Sequence, residues 1–218
     1  MKSNELLKLT EQKTRLTKYP IFLAFLFMTL LSWIVKAPAQ DIITTVVGNN
    51  TAGFSGDGEN ALLAQINSPA GIAVDDKGNL YLADTQNHRI RKIDPNGNML
   101  TIAGDGNQGY TGDDGIATAA QLNRPSGIAI DKLGNFYIAD TGNHVIRKVD
   151  IVGKITTIAG NNNQGYSGDG GHAIHAKFNS PTAITIDNVG NLYIADTGNH
   201  VIRKIDIGGN IKNKGSPR

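Results

Sequence analysis

The sequence predicts an all-β fold made of three tandem copies of one four-stranded antiparallel unit, a stretch of β-propeller. Three observations predict it: a self-similarity with a fixed period, short runs of alternating apolar residues, and a residue balance dominated by turn formers. The period is 56 residues and has no gap. Gly71–Asp94 reads GIAVDDKGNLYLADTQNHRIRKID, Gly127–Asp150 reads GIAIDKLGNFYIADTGNHVIRKVD, and Ala183–Asp206 reads AITIDNVGNLYIADTGNHVIRKID. The connecting stretches keep the same register: Phe54-Ser55-Gly56-Asp57 matches Tyr110-Thr111-Gly112-Asp113 and Tyr166-Ser167-Gly168-Asp169, and Pro69, Pro125 and Pro181 coincide. After residue 39 the acidic residues are sixteen Asp and only Glu59, in a chain with 26 Gly and no Cys. Asp and Gly end strands and build turns, whereas helical surfaces favour Glu. The absence of Cys excludes disulfides and thiolate metal sites, so a packed core must supply the stability.

Within the first unit the pattern predicts strands at Gly71–Asp75, Leu80–Asp84, Arg89–Ile93 and Met99–Ala103. They are joined by the turns Asp76–Asn79, Thr85–His88 and Pro95–Asn98. Tight turns between consecutive strands make an antiparallel meander, and meanders at this period are propeller blades. The longer connection to the next unit, Asp105–Arg124, has a Gly-rich half expected as loop. Its Ala-rich half, around Ala117, Ala119, Ala120 and Leu122, is expected as a short helix. Ala61/Ala64 and Ala173/Ala176 repeat the i,i+3 spacing, placing a small-residue face against each blade.

Residues 1–39 read as a secretory signal peptide. A basic region ends at Lys18, the apolar run Ile21–Val35 follows, and Ala37-Pro38-Ala39 fits the small-residue cleavage rule. An uncleaved signal anchor is the alternative, and it is the only expected route to a membrane. Either way the repeats lie outside the cytoplasm, secreted or periplasmic. Six of the 21 basic and two of the 19 acidic residues fall in this leader, so the rest of the chain is net acidic. That balance excludes a nucleic-acid footprint, which needs excess positive charge on the folded part.

The name-giving triplets Asn87-His88-Arg89, Asn143-His144-Val145 and Asn199-His200-Val201, each in an ADTxNHxIRK context, resemble NHL repeats across residues 42–206. The third triplet position is Arg or Val here rather than Leu. The resemblance implies a β-propeller, most often six-bladed. It also brings in an alternative function, a metal-dependent hydrolase or lyase of the lactonase or peptidyl-lyase type.

Antiparallel strands put alternate connections at opposite ends, so the DTxNH loops and the insertions share one side of the array. That side is the expected binding face for a protein, peptide or glycan. Phe54, Asp57, Tyr110, Asp113, Tyr166 and Asp169 are its ligand-binding candidates. His88, His144 and His200 recur with Asp84, Asp140 and Asp196 in every unit. A catalytic constellation should break the repeat, so these six are expected as framework that holds a shared turn. The Arg91-Lys92, Arg147-Lys148 and Arg203-Lys204 pairs read as solvated strand edges. His172 and His175 do break the repeat, but two ligands are too few for a closed zinc site. No cofactor is expected, and the function expected is a non-enzymatic extracytoplasmic scaffold.

The strand count gives an unpaired fourth strand first, Ile42–Val47, then two whole units. The third unit is expected to end at its third strand, leaving 207–218 as a degraded or truncated tail. Three blades fall below the usual four to eight. Either the chain is a piece of a longer propeller, or two chains pair as a homodimer to complete six blades.

Overall fold

The computed structural model describes residues 42–213, so the proposed leader and its cleavage site lie outside the described residues. Two compact units are separated, Met1–Thr44 and Thr45–Arg218, and the repeats fill the second. Three four-stranded antiparallel sheets form there, each in sequence order: β1 (Pro69–Val74), β2 (Leu80–Asp84), β3 (Arg89–Ile93) and β4 (Met99–Ala103); β5 (Gly127–Ile130), β6 (Phe136–Asp140), β7 (Val145–Val149) and β8 (Ile155–Ala159); β9 (Pro181–Ile186), β10 (Leu192–Asp196), β11 (Val201–Ile205) and β12 (Ile211–Asn213). These are three propeller blades. The first strands lie side by side, β1 against β5 and β5 against β9, so they are the inner strands of the array.

The turns explain the abundance of Asp. Asp75 Oδ1 accepts the amides of Lys77 and Asn79 at 2.9 and 2.8 Å, and Oδ2 accepts Asn79 Nδ2 and the Tyr81 hydroxyl. Asp131 and Asp187 repeat that box, while Asp94, Asp150 and Asp206 build its counterpart between third and fourth strands. A carboxylate that accepts several N–H groups costs less to ionise. The Asn191 side-chain bond, with the Asn191 and Val189 amides, accordingly holds Asp187 down at about 2. Tyr81 and Tyr137 of the first two boxes move the other way: burial first, then Asp75, pushes Tyr81 up to about 12, and burial first, then Asp131, does the same to Tyr137.

Two sequence expectations are corrected and one is made specific. The short helix expected in each insertion is a single 3₁₀ turn, Ala61–Leu63, Ala117–Ala119 and Ala173–His175. Residues i and i+3 eclipse in that geometry, so Ala61 and Ala64, and their equivalents, sink together into the core. Ile42–Val47 forms no strand, because no neighbouring sheet offers it a ladder among the described residues. The third blade, finally, does have a fourth strand. The Asp206 box turns the chain, Ile211 is buried, and Ile211 exchanges backbone bonds of 2.8 and 3.0 Å with Gly170 and Gly171. Lys214 and Gly215, where the first two blades have Ile-Ala, lie outside the described residues.

Each insertion runs along the outer strand of its own blade. Gly58 donates to the Met99 carbonyl and Asp114 to Ile155, both at 2.8 Å. A sheet edge that would otherwise invite pairing is thereby covered in all three blades. The insertion also bonds back to the preceding blade, with Gly104 N–H donating to Ala117 and Gly160 N–H to Ala173 at 2.9 Å. The cores are accordingly inter-blade: Tyr81, Ala83 and Ile90 pack with Leu122, Ile128 and Ile138, and the next junction repeats this.

Candidate functional site

The insertion side of each blade is built around a buried arginine at the middle of the third strand. Arg91, Arg147 and Arg203 have no exposed side-chain surface, which overturns their reading as solvated edges. The lysine beside each points away and sits over a tyrosine ring, 5.6–5.8 Å for Tyr137 and Tyr193 and 5.7 Å for Tyr81. Each guanidinium is held by two of the carboxylates named from the sequence. Arg91 reaches Asp57 at 2.9 Å and Asp84 at 3.3 Å; Arg147 reaches Asp113 at 2.7 Å and Asp140 at 3.6 Å; Arg203 reaches Asp169 at 2.6 Å and Asp196 at 3.6 Å. A buried cation needs its remaining protons satisfied too. The Ser55, Thr111 and Ser167 carbonyls accept from it in turn.

The inner carboxylates are fully buried. Asp140 accepts the Asn123 amide at 2.7 Å and Asn143 Nδ2 at 2.8 Å. Burial pushes its carboxyl up, against the pull of Asn123, Asn143 and Arg147. The Asn of each NHL triplet has a second role: Asn87, Asn143 and Asn199 also donate to the Gly53, Gly109 and Gly165 carbonyls at 2.6–2.8 Å. The DTxNH loop and the insertion are thus tied together, on one side of the array as their connectivity requires.

The aromatic candidates lie over the same arginines. Phe54 has Arg89 and Arg91 at 3.8 and 4.7 Å from its ring centre, and Tyr110 and Tyr166 each have an arginine at 5.2 Å. One ring face is therefore occupied, yet Phe54 and Tyr166 remain close to half exposed. The two tyrosine hydroxyls differ: Tyr110 shares a bond with Thr157 at 2.9 Å, while Tyr166 donates to Asp169 at 2.8 Å.

Two of the repeated histidines, His88 and His144, reach across the junctions. His88, His144 and His200 sit in the left-handed region, with φ of 55–59°. His88 Nδ1 accepts the Arg124 amide at 3.1 Å and His144 Nδ1 accepts that of Ser180 at 3.0 Å. Thr85 and Thr141 add hydroxyl bonds to the Pro125 and Pro181 carbonyls at 2.8 and 2.7 Å. His172 and His175 are exposed, and no group of three or more His, Cys, Asp or Glu among the described residues could hold a metal. One feature escaped the sequence reading, an open cleft of about 730 Å³ between the first two blades, lined among others by Asp75, Tyr81, Lys92, Asp131 and Phe136.

The histidine bonds carry a pH signature. An Nδ1 acceptor must be unprotonated, and burial, then Arg124 and Arg89, lowers the His88 pKa; burial lowers that of His144. The unfolded chain therefore takes up protons first as pH falls below about 6.5, and stability drops there until the folded imidazoles titrate too. Asp140 pulls the opposite way, so the comparison to make is with His88→Asn/His144→Asn, which keeps left-handed turns. Urea midpoints between pH 7.5 and 5 should fall more steeply in the wild type than in this variant. Equal slopes would remove the histidines from the account.

Comparison with known proteins places this geometry. The teneurin NHL domain profile matches residues 49–111 and 104–167, and the NHL repeat profile matches 178–205. NHL repeat-containing protein 2 of Gallus gallus is 43% identical over 105 residues, which is 47% of this chain and 14% of that protein. A Bacteroides thetaiotaomicron protein of unknown function superposes with a TM-score of 0.57 at 30% identity, over 67% of this chain and 37% of its own. An auxiliary nutrient binding protein from Bacteroides ovatus gives 0.54 at 25%, over 70% and 38%. The chain thus spans well under half of each of these three proteins.

Proposed function

Because the chain belongs to the NHL-repeat β-propeller family, we propose that it is a non-enzymatic scaffold acting outside the cytoplasm. It would bind a protein, peptide or glycan on the side where insertions and DTxNH loops meet. The observation that carries this reading is the engagement of the repeated polar groups. Asp84, Asp140 and Asp196 close on arginine, and His88 and His144 close on backbone, so the groups a catalyst would use are holding blades together. What the same side leaves open is aromatic surface, one ring per blade, pre-oriented over a cation. Rigid half-exposed rings give contact area at low entropic cost, which suits recognition. The likeness to a nutrient-binding protein supports the reading, and the apolar run before Ala37-Pro38-Ala39 supports export.

The test is a glycan microarray and a random-peptide display library probed with the chain. Binders held by the wild type should lose at least about tenfold in affinity with Tyr110→Ala/Tyr166→Ala. Wild-type binding by a variant with unchanged circular dichroism sinks the proposal. Stoichiometric zinc or calcium in the purified protein would favour a metal-dependent hydrolase or lyase instead.

A further inference from the structure

Every internal junction joins the trailing face of one blade to the leading face of the next, and among the described residues one of each is left uncovered. On the leading side Ile72 is 67% exposed, where Ile128 is 5%. On the trailing side Ile202 is 53% exposed, where Ile146 is 0%. The polar stitches continue to the same edges. Thr197 and His200 stand in register with Thr141, which donates to the Pro181 carbonyl, and His144, which accepts the Ser180 amide; Pro69 and Ser68 stand in register with Pro181 and Ser180. The two bare faces are therefore the two halves of an interface the molecule already makes twice.

The segment before the first blade continues this relation. Gly48 and Asn49 donate to Ala61 and Ala64 at 2.9 Å, as Gly104 and Asp105 donate to Ala117 and Ala120. Val47 thus occupies the place of Ala103, and residues 43–47 fall in register as the outer strand of a blade preceding β1. They supply Ile43, Val46 and Val47, whereas the same register at β12 supplies Ile211, Lys214 and Gly215.

We infer that a second copy of this chain covers both faces, the two closing head to tail about a twofold axis into a six-bladed ring. In it, residues 43–47 of each copy replace β12 beside β11 of the other. Two copies fall within the usual range of blade numbers and three would exceed it. One residue makes this junction looser than the internal ones. A Cβ on Gly71 would stand 2.3 Å from the Ser126 carbonyl, and one on Gly127 would stand 2.7 Å from that of Thr182. The third blade carries Ala183 there, so the copies meet slightly further apart at their inner strands.

The register names a cross-link. Lys92 pairs with Leu100 and Lys148 with Thr156, which sets Thr44 of one copy opposite Lys204 of the other. The chain has no cysteine, so Thr44→Cys/Lys204→Cys expressed from the full sequence should run as a covalent dimer without reductant, and neither single variant should. Light scattering should give twice the mass of one copy. Ile202→Glu should weaken association roughly a hundredfold by burying a charge, and Ala183→Gly should tighten it roughly tenfold. A well-folded wild type with the mass of one copy, or a double-cysteine variant that stays single, overturns the inference. A dimer that persists unchanged in Ile202→Glu overturns this use of the faces.

Discussion

Arg147→Met should destabilise the protein by roughly 3–5 kcal/mol, the usual cost of stripping the partner from a buried charge. The methionine fills much of the space, so the loss is electrostatic. Asp140 is left fully buried with the Asn123 amide and Asn143 but no cation, and Asp113 loses its anchor on the blade. The Asp140→Asn/Arg147→Met pair should lose less than the two single variants together, because the second change removes the stranded charge. Urea unfolding measures both. A loss under about 1 kcal/mol for the single variant would mean the arginine contributes no more than a surface ion pair does. The same change at Arg91 tests the first blade, where the inner carboxylate is nearer, 3.3 against 3.6 Å, and the outer one is slightly farther, 2.9 against 2.7 Å.

Gly71→Ala should cost about 1–3 kcal/mol, the range for forcing a methyl into a full interior. The glycine is in ordinary extended backbone, so the penalty is steric and comes from outside its own blade. The added carbon would meet the Ser126 carbonyl at 2.3 Å and Gly127 Cα at 3.0 Å, and both are backbone. The first two blades must move apart at their inner strands, so hydrogen exchange at Ile90 and Ile128 should accelerate as the midpoint falls. Unchanged exchange with an unchanged midpoint would show that the junction has slack.

Strands, turns and blade count were readable because they depend on short-range chemistry. Alternation fixed β2 to β4 residue for residue, and Asp and Gly marked each turn. The histidines could be read as framework from repetition alone, but their partners could not. Those are backbone amides 36 residues further on, which carry no side-chain signal. The buried arginines were misread because a charge next to Lys92 on a strand looks solvated. A usable signal was present: Arg91 shares strand parity with Ile93 and pairs across from Leu82, an apolar face, while Lys92 faces the other way. Its fixed spacing to Asp57 and Asp84 recurs in every unit as well. The aromatic candidates belong to the insertions by sequence position, but their stacking on those arginines depended on the same unread burial. β12 was missed because its register was judged on the polar Lys212–Lys214, whereas Ile211 bonds to the insertion and Lys212 and Asn213 continue the pairing with β11.

The stitches between blades have a consequence for how such a chain can grow. Their acceptors and donors on the far side are main-chain atoms: the amides of Arg124 and Ser180 and the carbonyls of Pro125, Pro181 and Thr182. A unit recognised through atoms that every residue possesses does not have to co-evolve with its neighbour. Duplicating a whole 56-residue segment in frame yields a blade that already fits both sides, and side chains on the rim can then diverge without disturbing the joint. Length in this architecture is a heritable variable that can change in single steps, and recognition can drift independently of it.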